Sequence, residues 1–256
     1  MNIPKQIHYV WVGSNPLSNE TKDTINSWAR IMPDYSITEW NETNIDFSSL
    51  FIRGAYAVRA YNRVSNYARL QALYQHGGIY FDHDVEVLLS FDPLLEKECF
   101  FGFQTLRAEE KHIINNAVIG ATPRHPFVKR LLEELDKLEG RKEVGADTGP
   151  GLVSNLMRST GVTTPTPIEQ VVDGVTLFPP AYFYPYDWTE TFTPDCVTGE
   201  THAIHHWAHT WKAAPSLRQK ISKKIVRIVA HISTPIAFHI QRIVNSRSRG
   251  FHKPAQ

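Results

Sequence analysis

The amino-acid sequence predicts an α/β protein built on one mixed, mostly parallel sheet. Three observations predict it. Strand-like and helix-like stretches alternate along residues 6–138. A Gly77-Gly78 pair separates a long helical pattern from the short apolar run Ile79-Tyr80-Phe81. Asp82 and Asp84 follow that run at once, where an open α/β sheet places its ligands, beyond the carboxyl ends of the strands. At 256 residues the chain can bury a substantial core, and one elaborated domain is expected.

Residues 6–13 (Gln-Ile-His-Tyr-Val-Trp-Val-Gly) read as a buried first strand ending at a glycine. A helix is expected over Asn19–Met32, with Ile25, Trp28, Ala29 and Met32 on one face and Pro33-Asp34 as its stop. Tyr35–Trp40 reads as a second strand. Recurrence of Ala57, Ala60, Tyr61, Val64, Ala68, Gln71, Leu73 and Tyr74 at helical spacing predicts one long helix over Ala55–His76, capped by the two glycines. Strands are expected at Gly78–Phe81, Val85–Leu88, Phe100–Phe103 and Ala117–Ala121, and a helix from Pro126 to about Leu138.

Composition is that of a globular protein: 42% hydrophobic and 11% aromatic residues leave no case for disorder. Cys99 and Cys196 stand far apart in no metal-ligand spacing, which fits a reducing compartment. No signal peptide is expected, because the N-terminus lacks a charged region, an apolar run and a small-residue cleavage site. The near-neutral total hides an asymmetry. After Glu200 there are ten Lys and Arg and no acid, leaving 17 basic against 26 acidic residues in 1–200. Residues from Ser216 onward form a basic amphipathic pattern in which Leu217, Ile221, Ile225, Ile228, Val229 and Ile232 share a face. Arg227, His231 and Pro235 interrupt it too often for a bilayer span. It can lie on anionic lipid or pack on the body with its basic face solvated.

Asp82 and Asp84 alternate with His83, so on a strand both acids can face one way. Two hard carboxylates there suit Mg²⁺ or Mn²⁺ with a diphosphate. Asp-x-Asp is a short, common pattern, and its meaning comes from company. Four segments stand in order: Ile7-His8-Tyr9-Val10-Trp11-Val12-Gly13; Val64-Ser65-Asn66-Tyr67-Ala68-Arg69; Gly77-Gly78-Ile79-Tyr80-Phe81-Asp82-His83-Asp84; and Ala203-Ile204-His205-His206-Trp207-Ala208-His209-Thr210-Trp211.

Over residues 3–211 this ordered set resembles the DXD-containing glycosyltransferase family of yeast initiating α-mannosyltransferases and bacterial capsule and lipopolysaccharide sugar transferases, which is related to the glucosyltransferase domain of clostridial toxins. The resemblance implies a GT-A fold over 1–211, a metal-dependent nucleotide-sugar donor and retention of anomeric configuration. It sets 212–256 apart as the basic amphipathic tail. Trp11, with Val10 beside it, matches the strand-end aromatic that stacks on the donor base. Asp84 matches the direct metal ligand and Asp82 a contact to ribose or metal-bound water. Arg69 matches an arginine approaching the donor phosphates and sugar. Asn116 resembles an asparagine that meets the transferred sugar, and Thr148-Gly149-Pro150 resembles a turn at the cleft. Either His205 or His206 completes the metal site, and adjacency allows only one of them to face it. Trp211 covers the donor phosphates on a closing loop.

One position departs from the pattern. Asn66 stands where the family usually has an aspartate that holds donor-sugar hydroxyls; a shifted donor preference, reduced activity and an introduced Asp→Asn change all fit. The expectation is a cytoplasmic enzyme at the inner face of the inner membrane. It takes a sugar from a nucleotide sugar, UDP-linked before GDP-linked, with Mn²⁺ or Mg²⁺. Its acceptor is a lipid-linked glycan of capsule, O-antigen or exopolysaccharide assembly. Nucleic acid is not among its expected partners. The alternatives are a nucleotide-sugar hydrolase using the same site and a non-catalytic module whose basic tail grips a polyanion.

Overall fold

The computed structural model describes residues 2–141 and 147–207. The strands and helices alternate in chain order as β1 (Gln6–Val10), α1 (Asn19–Ile31), β2 (Ser36–Trp40), α2 (Leu50–Ala57), α3 (Tyr61–His76), β3 (Gly78–Phe81), β4 (Val85–Val87), β5 (Cys99–Phe103), β6 (Ile114–Ala121), α4 (Pro126–Asp136), α5 (Pro150–Ser159), β7 (Gln170–Val172), β8 (Val175–Phe178), α6 (Pro180–Phe183) and β9 (Ala203–His205). Seven strands form the central sheet in the order β2-β1-β3-β6-β5-β8-β7. β1, β2, β3, β5 and β8 run one way, and β6 and β7 run against them. This is the mixed, mostly parallel sheet expected from the alternating pattern. β4, expected as a further strand, pairs instead with β9 in a separate two-stranded ribbon.

Side-chain alternation feeds two cores, one on each face of the sheet. Tyr80 of β3 and Phe101 and Cys99 of β5 pack with α2, α3, α4 and α5. Their neighbours Ile79, Phe81 and Phe100 pack on the other side with Trp28 of α1, Val85 and Val87 of β4, and Phe183 of α6. Phe100 fits because β6 has a glycine opposite it: a Cβ at Gly120 would lie 2.0 Å from the Phe100 ring.

α1 starts where Ser18 accepts a hydrogen bond from Thr21 N, and its buried Trp28 donates Nε1–H to the Val85 carbonyl at 2.9 Å. That bond ties α1 to the start of β4, directly after the two aspartates.

The single long helix expected over Ala55–His76 is two helices. α2 ends in a Schellman turn: Ala60 N–H reaches the Ala55 carbonyl, Arg59 N–H reaches Tyr56, and Arg59 sits at φ +55°. Close docking explains the break. A Cβ at Gly54 would lie 1.9 Å from the Glu139 carbonyl, and one at Gly140 would lie 1.8 Å from that of Phe51. α2 is thereby seated on the chain that follows α4, while α3 lies along the sheet. α3 ends where predicted, at Gly77 (φ +68°) and Gly78 (φ +99°), and a Cβ on Gly78 would strike the Gln6 carbonyl at 2.5 Å.

Candidate metal and donor site

β3 lies centrally, between parallel β1 and antiparallel β6. Asp82 continues the ladder one residue past the strand, its N–H donating to Ala117 at 2.8 Å. The chain then turns, with Val85 N–H closing on the Asp82 carbonyl at 3.0 Å. Asp82 and Asp84 therefore converge through a turn, and not through the strand alternation expected from their spacing.

The β4–β9 ribbon supplies the third group. Val85 pairs with His205, and His206 N–H donates to the Asp84 carbonyl at 3.2 Å. One ligand atom each from Asp82, Asp84 and His205 lie within 4.8 Å of one another. His205 Nε2 stands 3.4 Å from Asp84 Oδ1. His206 points away, with Nε2 2.6 Å from Glu86 Oε2. Of the two histidines that adjacency left open, His205 faces the aspartates.

The group fits a divalent cation. His205 Nδ1 is buried with no hydrogen-bond partner among the described residues. Two carboxylates and an imidazole form a hard-to-borderline donor set suited to Mg²⁺ or Mn²⁺. The local field agrees. Burial disfavours a charged His205, yet Asp84 and Asp82 raise its pKa above the ordinary value. Trp207, at φ +50°, packs against His205 with ring centroids 4.3 Å apart and the rings tilted by 50°, and donates Nε1–H to the Tyr186 carbonyl.

Arg69 reaches the same place from α3. The residue is 4% exposed and its guanidinium lies 3.1 Å from Asp82 Oδ1. It also donates to the Asn116 carbonyl at 2.5 Å and to Ser65 Oγ at 3.0 Å, and lies 4.4 Å over the Tyr80 ring. Tyr80 donates its hydroxyl to the same Asp82 oxygen at 2.7 Å, and burial pushes its pKa up, so the phenol stays a donor. Asp82 is thus anchored from two sides.

One helical turn before Arg69, the side chain of Asn66 accepts from Asn116 Nδ2 at 3.2 Å and donates to Thr148 Oγ1 at 3.3 Å. These contacts line up Asp82, Arg69, Asn116, Asn66 and Thr148 along one wall. Trp11 stands just past β1, in a T-shaped contact with His83 at a ring-centroid distance of 5.3 Å, and donates Nε1–H to the Asn15 carbonyl. Val10 is buried in the same core layer as Trp40 and Val64, so its side chain is not presented to a ligand. Trp211 and the basic tail lie outside the described residues.

Sequence reasoning did not single out Tyr80 or Ser65 as parts of this wall. Tyr80 and Ser65 read as ordinary strand and helix residues, and only the fold brings their hydroxyls together, 3.2 Å apart.

An α/β sheet with a carboxylate pair at the end of its central strand is the GT-A arrangement, and solved structures share the fold. PaToxG glycosyltransferase superimposes with a TM-score of 0.53 at 20% identity, over 62% of this chain and 70% of that one. The glycosyltransferase GlyE of Streptococcus pneumoniae TIGR4 superimposes with a TM-score of 0.51 at 11% identity, over 86% and 59%.

Two family models then match in succession: the glycosyltransferase sugar-binding region containing a DXD motif over residues 18–101, and the alpha 1,4-glycosyltransferase conserved region over 120–239. Inositol phosphoceramide mannosyltransferase 1 of Schizosaccharomyces pombe is 30% identical over 151 residues, 54% of this chain and 44% of that protein. Human lactosylceramide 4-alpha-galactosyltransferase is 24% identical over 154 residues, 56% and 41%. The chain is a homologue of DXD-containing glycosyltransferases, as its four motifs imply. It spans less than half the length of these two curated relatives.

Proposed function

We propose that this protein is a metal-dependent, retaining glycosyltransferase that moves a sugar from a nucleotide sugar to a glycolipid or lipid-linked glycan. The observation that carries this reading is the convergence of Asp82, Asp84 and His205 within 4.8 Å, beside a buried Arg69. These three residues would hold Mn²⁺ or Mg²⁺, which supplies the positive charge that a departing diphosphate needs. The chain's own residues do the rest by position and electrostatics. Arg69, fixed by Asn116, Ser65 and Asp82, would offer its charge to the donor phosphates. Trp11 offers an indole at the strand end for a base, a uracil before a guanine. Glu86, the acid nearest the pair in sequence, is engaged by His206, which supports a route without a carboxylate base, hence retention.

Relatives named for ceramide lipids support a lipid-borne acceptor. The acid-free basic stretch after Glu200 supports contact with an anionic membrane, at the cytoplasmic face in this reading. Among the described residues no helix is long and apolar enough to cross a membrane. The test is a screen of UDP- and GDP-sugars with Mn²⁺, by calorimetry and by slow hydrolysis. Metal-dependent binding that disappears in Asp84→Ala is expected. Failure of every nucleotide sugar to bind in the presence of metal would overturn the reading, and inversion of the anomeric carbon in the product would overturn retention.

A further inference from the structure

The polar contacts around Asp82 close into a ring, and the hydrogens in it run one way. An ionised carboxylate only accepts, so Tyr80 gives its hydroxyl hydrogen to Asp82 Oδ1 at 2.7 Å. Tyr80 Oη is then the acceptor in its 3.2 Å contact with Ser65, and Ser65 Oγ is the donor. Ser65 Oγ in turn accepts from Arg69 Nη2 at 3.0 Å. The same Nη2 closes the ring as the ion-pair partner of Asp82 Oδ1 at 3.1 Å. Arg69 is kept in place from outside the ring, with Nε on the Ser65 carbonyl and Nη1 on that of Asn116.

The ring is lopsided. Tyr80 and Arg69 both meet Oδ1, while Oδ2 receives no hydrogen bond among the described residues. Tyr80 is 1% exposed, whereas the Asp82 side chain is 24% exposed. An arginine that needed only a counter-charge would take both carboxylate oxygens in a fork. Here Tyr80 and Ser65 complete the frame in its place. A buried frame thus grips one oxygen and leaves the other free, in the group that Asp82 forms with Asp84 and His205.

We propose that Ser65 and Tyr80 are positioning residues of the metal site, holding Asp82 by Oδ1 so that Oδ2 is the oxygen offered to the ligand. The inference rests on the metal and donor reading above and adds two residues to it. Tyr80 acts through Asp82, and Ser65 acts through Tyr80 and Arg69.

Calorimetric titration with Mn²⁺, alone and with UDP or GDP, tests it in Tyr80→Phe and Ser65→Ala. Tyr80→Phe keeps the aromatic ring beneath Arg69 and removes only the hydroxyl. It is expected to weaken Mn²⁺ binding about tenfold, and Ser65→Ala roughly threefold, since Arg69 still reaches Oδ1. Gly120→Ala is the control for packing, because it crowds Phe100 on the other face of the sheet and touches no member of the ring. It should lower the metal-free melting temperature and leave Mn²⁺ affinity at the wild-type value. The titration's stoichiometry counts folded sites, so partial unfolding is read apart from affinity. Unchanged affinity in Tyr80→Phe overturns the inference, as does an equal loss of affinity in Gly120→Ala. If the wild type binds no Mn²⁺ with either nucleotide, the donor-site reading falls and this one with it. If the wild type binds and the variants match it, only the role of Ser65 and Tyr80 falls.

Discussion

Glu86 Oε2 lies 2.6 Å from His206 Nε2, and this contact holds one of two neighbouring histidines away from the aspartates while the other faces them. The pair acts as a clasp between β4 and the residue after β9. It fixes the ribbon in the register that pairs Val85 with His205. Groups that orient a metal ligand typically contribute about 10–100-fold in metal affinity. Glu86→Ala is therefore expected to weaken Mn²⁺ binding about tenfold, and Glu86→Gln less. His205→Ala should cost more than His206→Ala. Electron paramagnetic resonance of free Mn²⁺ during titration measures all four; a larger loss in His206→Ala would reverse the assignment.

Asp82 and Asp84 carry different loads, although the motif treats them alike. Asp82 is the carboxylate partner of a buried Arg69 and accepts from Tyr80. Asp82→Asn strands part of that charge and should destabilise the metal-free protein by about 2 kcal/mol, the scale of a hydrogen bond to a charged group. Asp84→Asn should shift the metal-free melting temperature less, yet abolish the gain in melting temperature that Mn²⁺ gives the wild type. Thermal unfolding with and without Mn²⁺ separates the two. Equal metal-free shifts would contradict the division of roles.

Gly120 is a packing glycine. A methyl group there would lie 2.0 Å from the Phe100 ring, inside a core that also holds Phe91, Phe178 and Phe183. Overpacking of this kind costs about 1–3 kcal/mol. Gly120→Ala should lower the urea midpoint accordingly without changing the fold by circular dichroism. A midpoint equal to the wild type would mean that the ring relaxes freely.

Much of the fold was readable because pattern and punctuation coincide. α1 stops before Pro33, α3 stops at Gly77, and α4 starts at Pro126. The break between α2 and α3 was not readable. No glycine or proline marks it, Arg59 takes the left-handed conformation, and its cause is the distant contacts at Glu139 and Gly140. β7, β8 and β9 have three or four residues each, too few to show a period. At the site, Asp82 and Asp84 could be found in the sequence because acids at the end of an apolar strand stand out, whereas Arg69 was set apart from the other helix arginines only by the family resemblance. Tyr80 and Ser65 could not, since their contribution is a hydroxyl that only the packing of α3 on β3 brings to Asp82 and Arg69. Choosing His205 over His206 likewise needed the partner, Glu86.

His8 makes stability depend on pH. It is buried in β1, where Nδ1 accepts from Trp40 Nε1 at 3.1 Å and Nε2 meets the Gly77 carbonyl at 2.8 Å. Those two partners require the neutral ring with its hydrogen on Nε2. Burial lowers its pKa from 6.5 to about 4, with added repulsion from His76. Between those values the unfolded chain takes up a proton that the folded one refuses, so stability is complete above 6.5 and is lost as pH falls toward 4. The expected loss is about 2 kcal/mol between about pH 7.5 and about pH 5. His125 and His202, also lowered chiefly by burial, add with the same sign. His8→Gln should be less stable at neutral pH, since it disturbs both hydrogen bonds, but its decline on acidification should be shallower. Urea unfolding at several pH values measures both slopes, and parallel slopes in the two proteins would remove His8 as the cause.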